Sequence, residues 1–168
     1  MSSRSAAAPS TIARMTGRRF AKALALCLLI AGTLDISDAL IFYGLHGVPA
    51  LGLLRFIAAC LVGVSALHDG LAMAALGLAI HYTITFFWSA LFLLAATRIS
   101  FLTRRAILSG LLYGGFIYIV MNFVVLPLTR LPPRTHHLPA AVLINGVLAL
   151  LLCMGLPIAL IARHFLSE

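Results

Sequence analysis

The chain has 168 residues, of which 62% are hydrophobic and 10% charged, and its formal net charge is +8. A soluble domain is typically about half apolar and about a quarter charged, so this excess is too large for one aqueous core and requires a lipid bilayer as the first partner. The basic residues are not gathered on one face but fall in short groups between apolar runs: Arg14, Arg18, Arg19 and Lys22, then Arg98, Arg104 and Arg105, then Arg130 and Arg134. Topology-setting charge is distributed in this way, and with no basic stripe or stacking platform it argues against nucleic acid as a partner.

In chain order, residues 1–17 are rich in Ser and Ala, lack an apolar period and predict a disordered cytoplasmic tail; Met15 offers an alternative start. The run Arg18-Arg19-Phe20-Ala21-Lys22 before Ala and Leu has the shape of a signal-peptide start. No good A-x-A cleavage site follows it and the apolar pattern continues to Leu45, so a retained first span is expected over residues 20–45. Gly44, Gly47 and Pro49 then break the helix. Residues 49–67 are apolar but are interrupted by Arg55 and confined before His68-Asp69-Gly70. They predict a short interfacial or re-entrant helix, not a span. Further spans are expected over 71–96, over 106–128 ending at Pro127, and over 140–162 with a kink at Pro157. The fold class is all-α: a four-span transmembrane helix bundle over residues 18–166 with one short interfacial or re-entrant helix.

Charge sets the expected orientation. With the N-terminus inside, the cytoplasmic side holds Arg4, Arg14, Arg18, Arg19, Lys22, Arg98, Arg104, Arg105 and Arg163, and the outer side Arg55, Arg130 and Arg134. A fifth span over 49–67 would weaken this bias and bury Arg55. The expectation is a multi-pass protein of a bacterial-type inner membrane with both termini cytoplasmic.

Asp35 and Asp38 fall inside the first span, where a carboxylate costs on the order of 3 kcal/mol, and their i, i+3 spacing puts them on one face. His81, Thr83 and Thr85 interrupt the second span, Asn122 the third and Asn145 the fourth. At about 1.5 Å per residue from the inner ends, Asp35 lies about 20 Å out, His81 about 21 Å, and Asp38, Asn122 and Asn145 each about 24 Å. These residues therefore share one level, which Arg55 reaches from the outer side. Two readings compete. One is a structural clasp of polar groups bonded between helices. The other is a proton or solute pathway in which protonation of His81 or an aspartate is the working step. In both, Asp35 is expected to face His81, and Asp38 to meet Asn122, Asn145 or Arg55.

Gly110 and Gly114 form G-x-x-x-G, followed by Gly115, and predict close helix packing inside the bundle or in a dimer. Cys27, Cys60 and Cys153 lie singly in apolar runs and read as packing residues. His136-His137, with His46, His68 and Asp69, show no recognised ligand spacing, so no metal and no cofactor are expected. The chain carries no nucleophile elbow, H-E-x-x-H, P-loop or dinucleotide fingerprint, and no catalytic residue is assigned.

The stretch Gly32-Thr33-Leu34-Asp35-Ile36-Ser37-Asp38-Ala39, then Phe56-Ile57-Ala58-Ala59-Cys60-Leu61-Val62-Gly63, Ala75-Leu76-Gly77-Leu78-Ala79-Ile80-His81, Leu112-Tyr113-Gly114 and Val125-Leu126-Pro127-Leu128 resemble small uncharacterised bacterial inner-membrane proteins. These are the domain-of-unknown-function group of the YagU type, and the likeness covers roughly residues 30–162. It implies a membrane location and no known chemistry. The expected function is that of a small structural or accessory membrane protein, not an enzyme. The alternative is a proton-linked transporter or channel component using Asp35, Asp38 and His81. In either case the expected partner is a second copy or a larger membrane complex.

Overall fold

A computed structural model describes residues 17–132 and 138–166. The expected tail and the pair His136-His137 lie outside the described residues. Among the described residues six helices make up the bundle: α1, Gly17–Leu45; α2, Ala50–Val62; α3, Leu71–Ala96; α4, Ser100–Arg104; α5, Ala106–Leu128; and α6, Ala140–Leu166. Helices α1, α3, α5 and α6 are long and apolar enough to cross a bilayer. Leu29, Ile41, Phe87, Leu112 and Phe123 are largely exposed on them, an arrangement suited to lipid and not to water. The chain is an integral membrane protein with a four-helix transmembrane bundle.

The long helices alternate in direction. One end of the bundle, here called proximal, holds Gly17, Ala96, Ala106 and Leu166; the distal end holds Leu45, Leu71, Leu128 and Ala140. The proximal half has a core of small and apolar side chains: Ala23, Cys27 and Ala31 of α1, Phe92 and Leu93 of α3, Ile117 of α5, and Met154, Ile158 and Ala159 of α6. Small residues dominate because lipid supplies no hydrophobic force between helices, so association depends on close backbone approach. Tyr113 adds a polar tie, its hydroxyl donating to the Trp88 carbonyl at 2.6 Å, within an aromatic group that includes Phe92 and Phe116.

Glycines draw α5 and α6 together. A Cβ at Gly110 would sit 2.9 Å from the Gly155 carbonyl oxygen, and one at Gly114 would collide with the Leu150 carbonyl. Gly155 meets Gly110 and Gly114 from the other side. The G-x-x-x-G motif is thus used inside the bundle. Gly115, by contrast, has nothing within 4 Å of where its Cβ would be.

At 13 residues, α2 is about 20 Å long, too short to cross a core of about 30 Å. Positive φ angles at Gly47 (85°) and Gly63 (110°), which side chains rarely adopt, turn the chain on either side of it. It packs on the distal half of α3, where Gly77 lets the Leu54 carbonyl and the Ala58 amide come close. Ala58, Ala59 and Ala66 form a small core with Leu67, Met73, Leu76 and Leu131, and the Arg130 amide donates to the Cys60 carbonyl at 3.0 Å.

Three of the long helices contain a widened π turn: Leu28–Gly32 in α1, Met121–Val125 in α5 and Leu150–Gly155 in α6. Two of these lie just before a proline, Pro127 and Pro157. A proline ring removes one N–H and crowds the carbonyl of the preceding turn, and an extra residue in that turn makes room for it. The π turn of α1 has no proline after it, and it lies beside the polar cluster.

Candidate functional site

The cluster is built from the α1 backbone outward. Gly32 ends the π turn and is buried against α3, where a Cβ would come 2.8 Å from Cε1 of Tyr82. This approach leaves the Gly32 carbonyl facing α3, and it accepts a hydrogen bond from His81 Nε2 at 2.9 Å. The next residue, Thr33, brings its hydroxyl to 3.0 Å from the Tyr82 hydroxyl. Across the imidazole, His81 Nδ1 lies 3.9 Å from Asp35 Oδ2, with side-chain exposures of 11% for His81 and 19% for Asp35. One turn further along α1, Asp38 Oδ2 accepts from Asn145 Nδ2 of α6 at 2.9 Å. Thr85, fully buried, donates to the His81 carbonyl at 3.0 Å, and the exposed Thr83 donates to Ala79.

A carbonyl oxygen can only accept, so the bond to Gly32 assigns a hydrogen to His81 Nε2. Nδ1 then presents a lone pair to Asp35 unless a second proton is bound. A bare carboxylate facing a lone pair is repulsive, whereas one proton between them makes the contact attractive. That proton can rest on the carboxyl as an O–H directed at Nδ1, or on the ring as an imidazolium beside a carboxylate. At 3.9 Å the two atoms are beyond direct hydrogen-bond length.

The structure brings together Asp35, Asp38, His81 and Asn145 but not the two remaining members of the expected cluster. Asn122 donates to Tyr118 of its own helix at 3.0 Å and lines a separate cavity of about 570 Å³ with Phe56, Leu67, Leu126 and Leu131. It was expected at the level of the aspartates, but it bonds along its own helix and lines this other cavity. Arg55 makes no ion pair with either aspartate, and its Nε is buried without a hydrogen-bond partner among the described residues. Helix α2 is held against α3 where Gly77 meets the Leu54 carbonyl and the Ala58 amide.

Sequence reasoning missed the Gly32 carbonyl, the π turn and the Thr33–Tyr82 contact. One signal was present: a glycine three residues before an intramembrane aspartate marks a place where another helix can reach the backbone. Among the described residues no group of three or more His, Cys, Asp or Glu side chains is placed to hold a metal ion. His46 instead bonds to the Phe42 carbonyl through Nδ1 at 2.7 Å. No family model, curated protein or solved structure matches this chain.

Proposed function

We propose that this is a small structural or accessory membrane protein in which the polar cluster is a clasp tying α1 to α3 and α6. The observation that carries this reading is that the cluster's polar groups are directed at protein groups on neighbouring helices: His81 at Gly32 and Asp35, and Asn145 at Asp38. Polar groups in a bilayer commonly serve in this way, since bonding across helices replaces the water they have lost. The reading includes no catalytic role. It includes a partner, either a second copy or a larger membrane complex, which would dock on a face other than the Gly110–Gly114 seam. Kinship with the YagU-type proteins belongs to it as well, supported by the short motifs alone.

The contact between His81 Nδ1 and Asp35 Oδ2 favours a second reading, in which the pair exchanges its proton with one side of the membrane. Reconstitution distinguishes the two. In vesicles carrying a pH gradient, a clasp produces no gradient-driven flux above that of protein-free vesicles. A proton pathway produces flux that Asp35→Asn abolishes.

Orientation is proposed from charge. The proximal end carries Arg18, Arg19, Lys22, Arg98, Arg104, Arg105 and Arg163, while Arg55 and Arg130 belong to α2 and the distal loop. The positive-inside bias then makes the proximal end cytoplasmic, in an inner membrane of bacterial type. Single cysteines replacing Asp69 and Ser100, in a background where Cys27, Cys60 and Cys153 are alanine, test this. An impermeant maleimide is expected to label position 69 in intact cells and position 100 only after lysis. The reverse pattern would overturn the orientation.

A further inference from the structure

At the proximal end, the start of α5 and the end of α6 enclose an open cavity of about 370 Å³. Arg104, Arg105 and Arg163 line it, and its remaining wall includes Ile107, Leu108 and Leu111. We propose that this groove binds an anionic phospholipid, with its phosphate among the three arginines and the first carbons of an acyl chain along the apolar wall.

Three observations converge on that occupant. Positive-inside charge alone requires no cavity, yet here arginines from two helices border one hollow. Arg104 and Arg105 precede α5 and Arg163 lies in the last turn of α6, so the antiparallel packing of these helices is what brings them together. The first turn of α5 lines the same cavity, and no side chain caps it. Its amide N–H groups therefore add to the positive potential.

The apolar wall decides between a lipid and a soluble anion. Ile107 and Leu108 are 60% and 47% exposed on the outer surface of the bundle, where acyl chains run. A guanidinium pairs with phosphate oxygens through two parallel N–H groups, which a choline headgroup partly offsets with its own cation. Basic pockets between transmembrane helices recognise anionic headgroups by this combination. The site requires only that the chain lies in a bilayer, and it holds in whichever leaflet the proximal end sits.

Native mass spectrometry of the purified protein in neutral detergent tests the proposal. Phosphatidylglycerol and phosphatidylcholine with identical acyl chains are the probes, with inorganic phosphate as a third arm. Phosphatidylglycerol adducts are expected to exceed phosphatidylcholine adducts about ten-fold. The Arg104→Gln/Arg105→Gln double variant should lower phosphatidylglycerol retention about thirty-fold, and Arg163→Gln alone about five-fold. The Arg104→Lys/Arg105→Lys variant, which keeps the charge but loses the paired N–H groups, should fall between the glutamine double variant and the unaltered protein, and Arg130→Gln should leave retention unchanged. Equal retention of the two lipids by the unaltered protein would overturn the proposal without any variant having to fold. So would undiminished retention in the glutamine double variant, or displacement of the lipid by inorganic phosphate alone, which would identify a soluble anion as the ligand.

Discussion

Replacing Gly155 with alanine is expected to destabilise the bundle by about 1–3 kcal/mol, the cost of inserting a methyl group into a seam with no room for it. The new Cβ would meet backbone atoms of Gly110 and Gly114, which cannot rotate away as a side-chain end can. The helices would have to separate, and the contacts on either side of the seam, including that between Gly114 and Leu150–Leu151, would loosen with them. Gly115→Ala is the matched control, since its Cβ would enter open space. An unfolding titration of both variants in mixed detergent micelles provides the measurement. Gly155→Ala should unfold earlier and Gly115→Ala at about the wild-type midpoint. Equal midpoints would show that the two helices do not approach as closely as described.

His81→Leu is expected to cost about 2–3 kcal/mol, because it leaves the Gly32 carbonyl and the Asp35 carboxyl without a partner at once. Asp35→Leu should cost less, about 1–2 kcal/mol, since the His81 bond to Gly32 survives and only Nδ1 loses its neighbour. Asp35→Asn should be the mildest, within about 1 kcal/mol, because an amide can donate to Nδ1 and carries no charge to bury. The order follows from the number of groups left unpaired, and the same unfolding titration ranks the three. If Asp35→Asn proved as damaging as Asp35→Leu, hydrogen bonding to His81 would not be what Asp35 contributes.

One of these variants also separates structure from transport. Asp35→Asn removes the ionisable group while keeping a bonding partner for His81, so it leaves a clasp working and stops a proton carrier. Stability and flux measured on that one protein therefore report on different roles of the same side chain.

Composition, apolar run length and helix-breaking residues were enough to read the number of long helices, their approximate limits and the brevity of α2, because a bilayer fixes the length of any span. Rise per residue was enough to place Asp35, Asp38, His81 and Asn145 at one level, and their meeting across three helices follows that count. It was not enough for Asn122 or Arg55, because rise along a helix gives height, while contact also depends on rotation about the axis and on where a neighbouring helix crosses. Those quantities are set where glycines let a neighbouring helix come close: Gly32 against the Tyr82 ring, Gly77 against the Leu54 backbone, and Gly110 and Gly114 against the Gly155 backbone. A motif such as G-x-x-x-G announces close approach but not the partner, and Gly155, alone in its run, announced nothing. The π turns near Pro127 and Pro157 have a cause in the sequence, whereas the turn at Leu28–Gly32 has none nearby. Only packing against α3 accounts for the Gly32 carbonyl facing His81, because the bond joins a backbone group to a side chain 49 residues away.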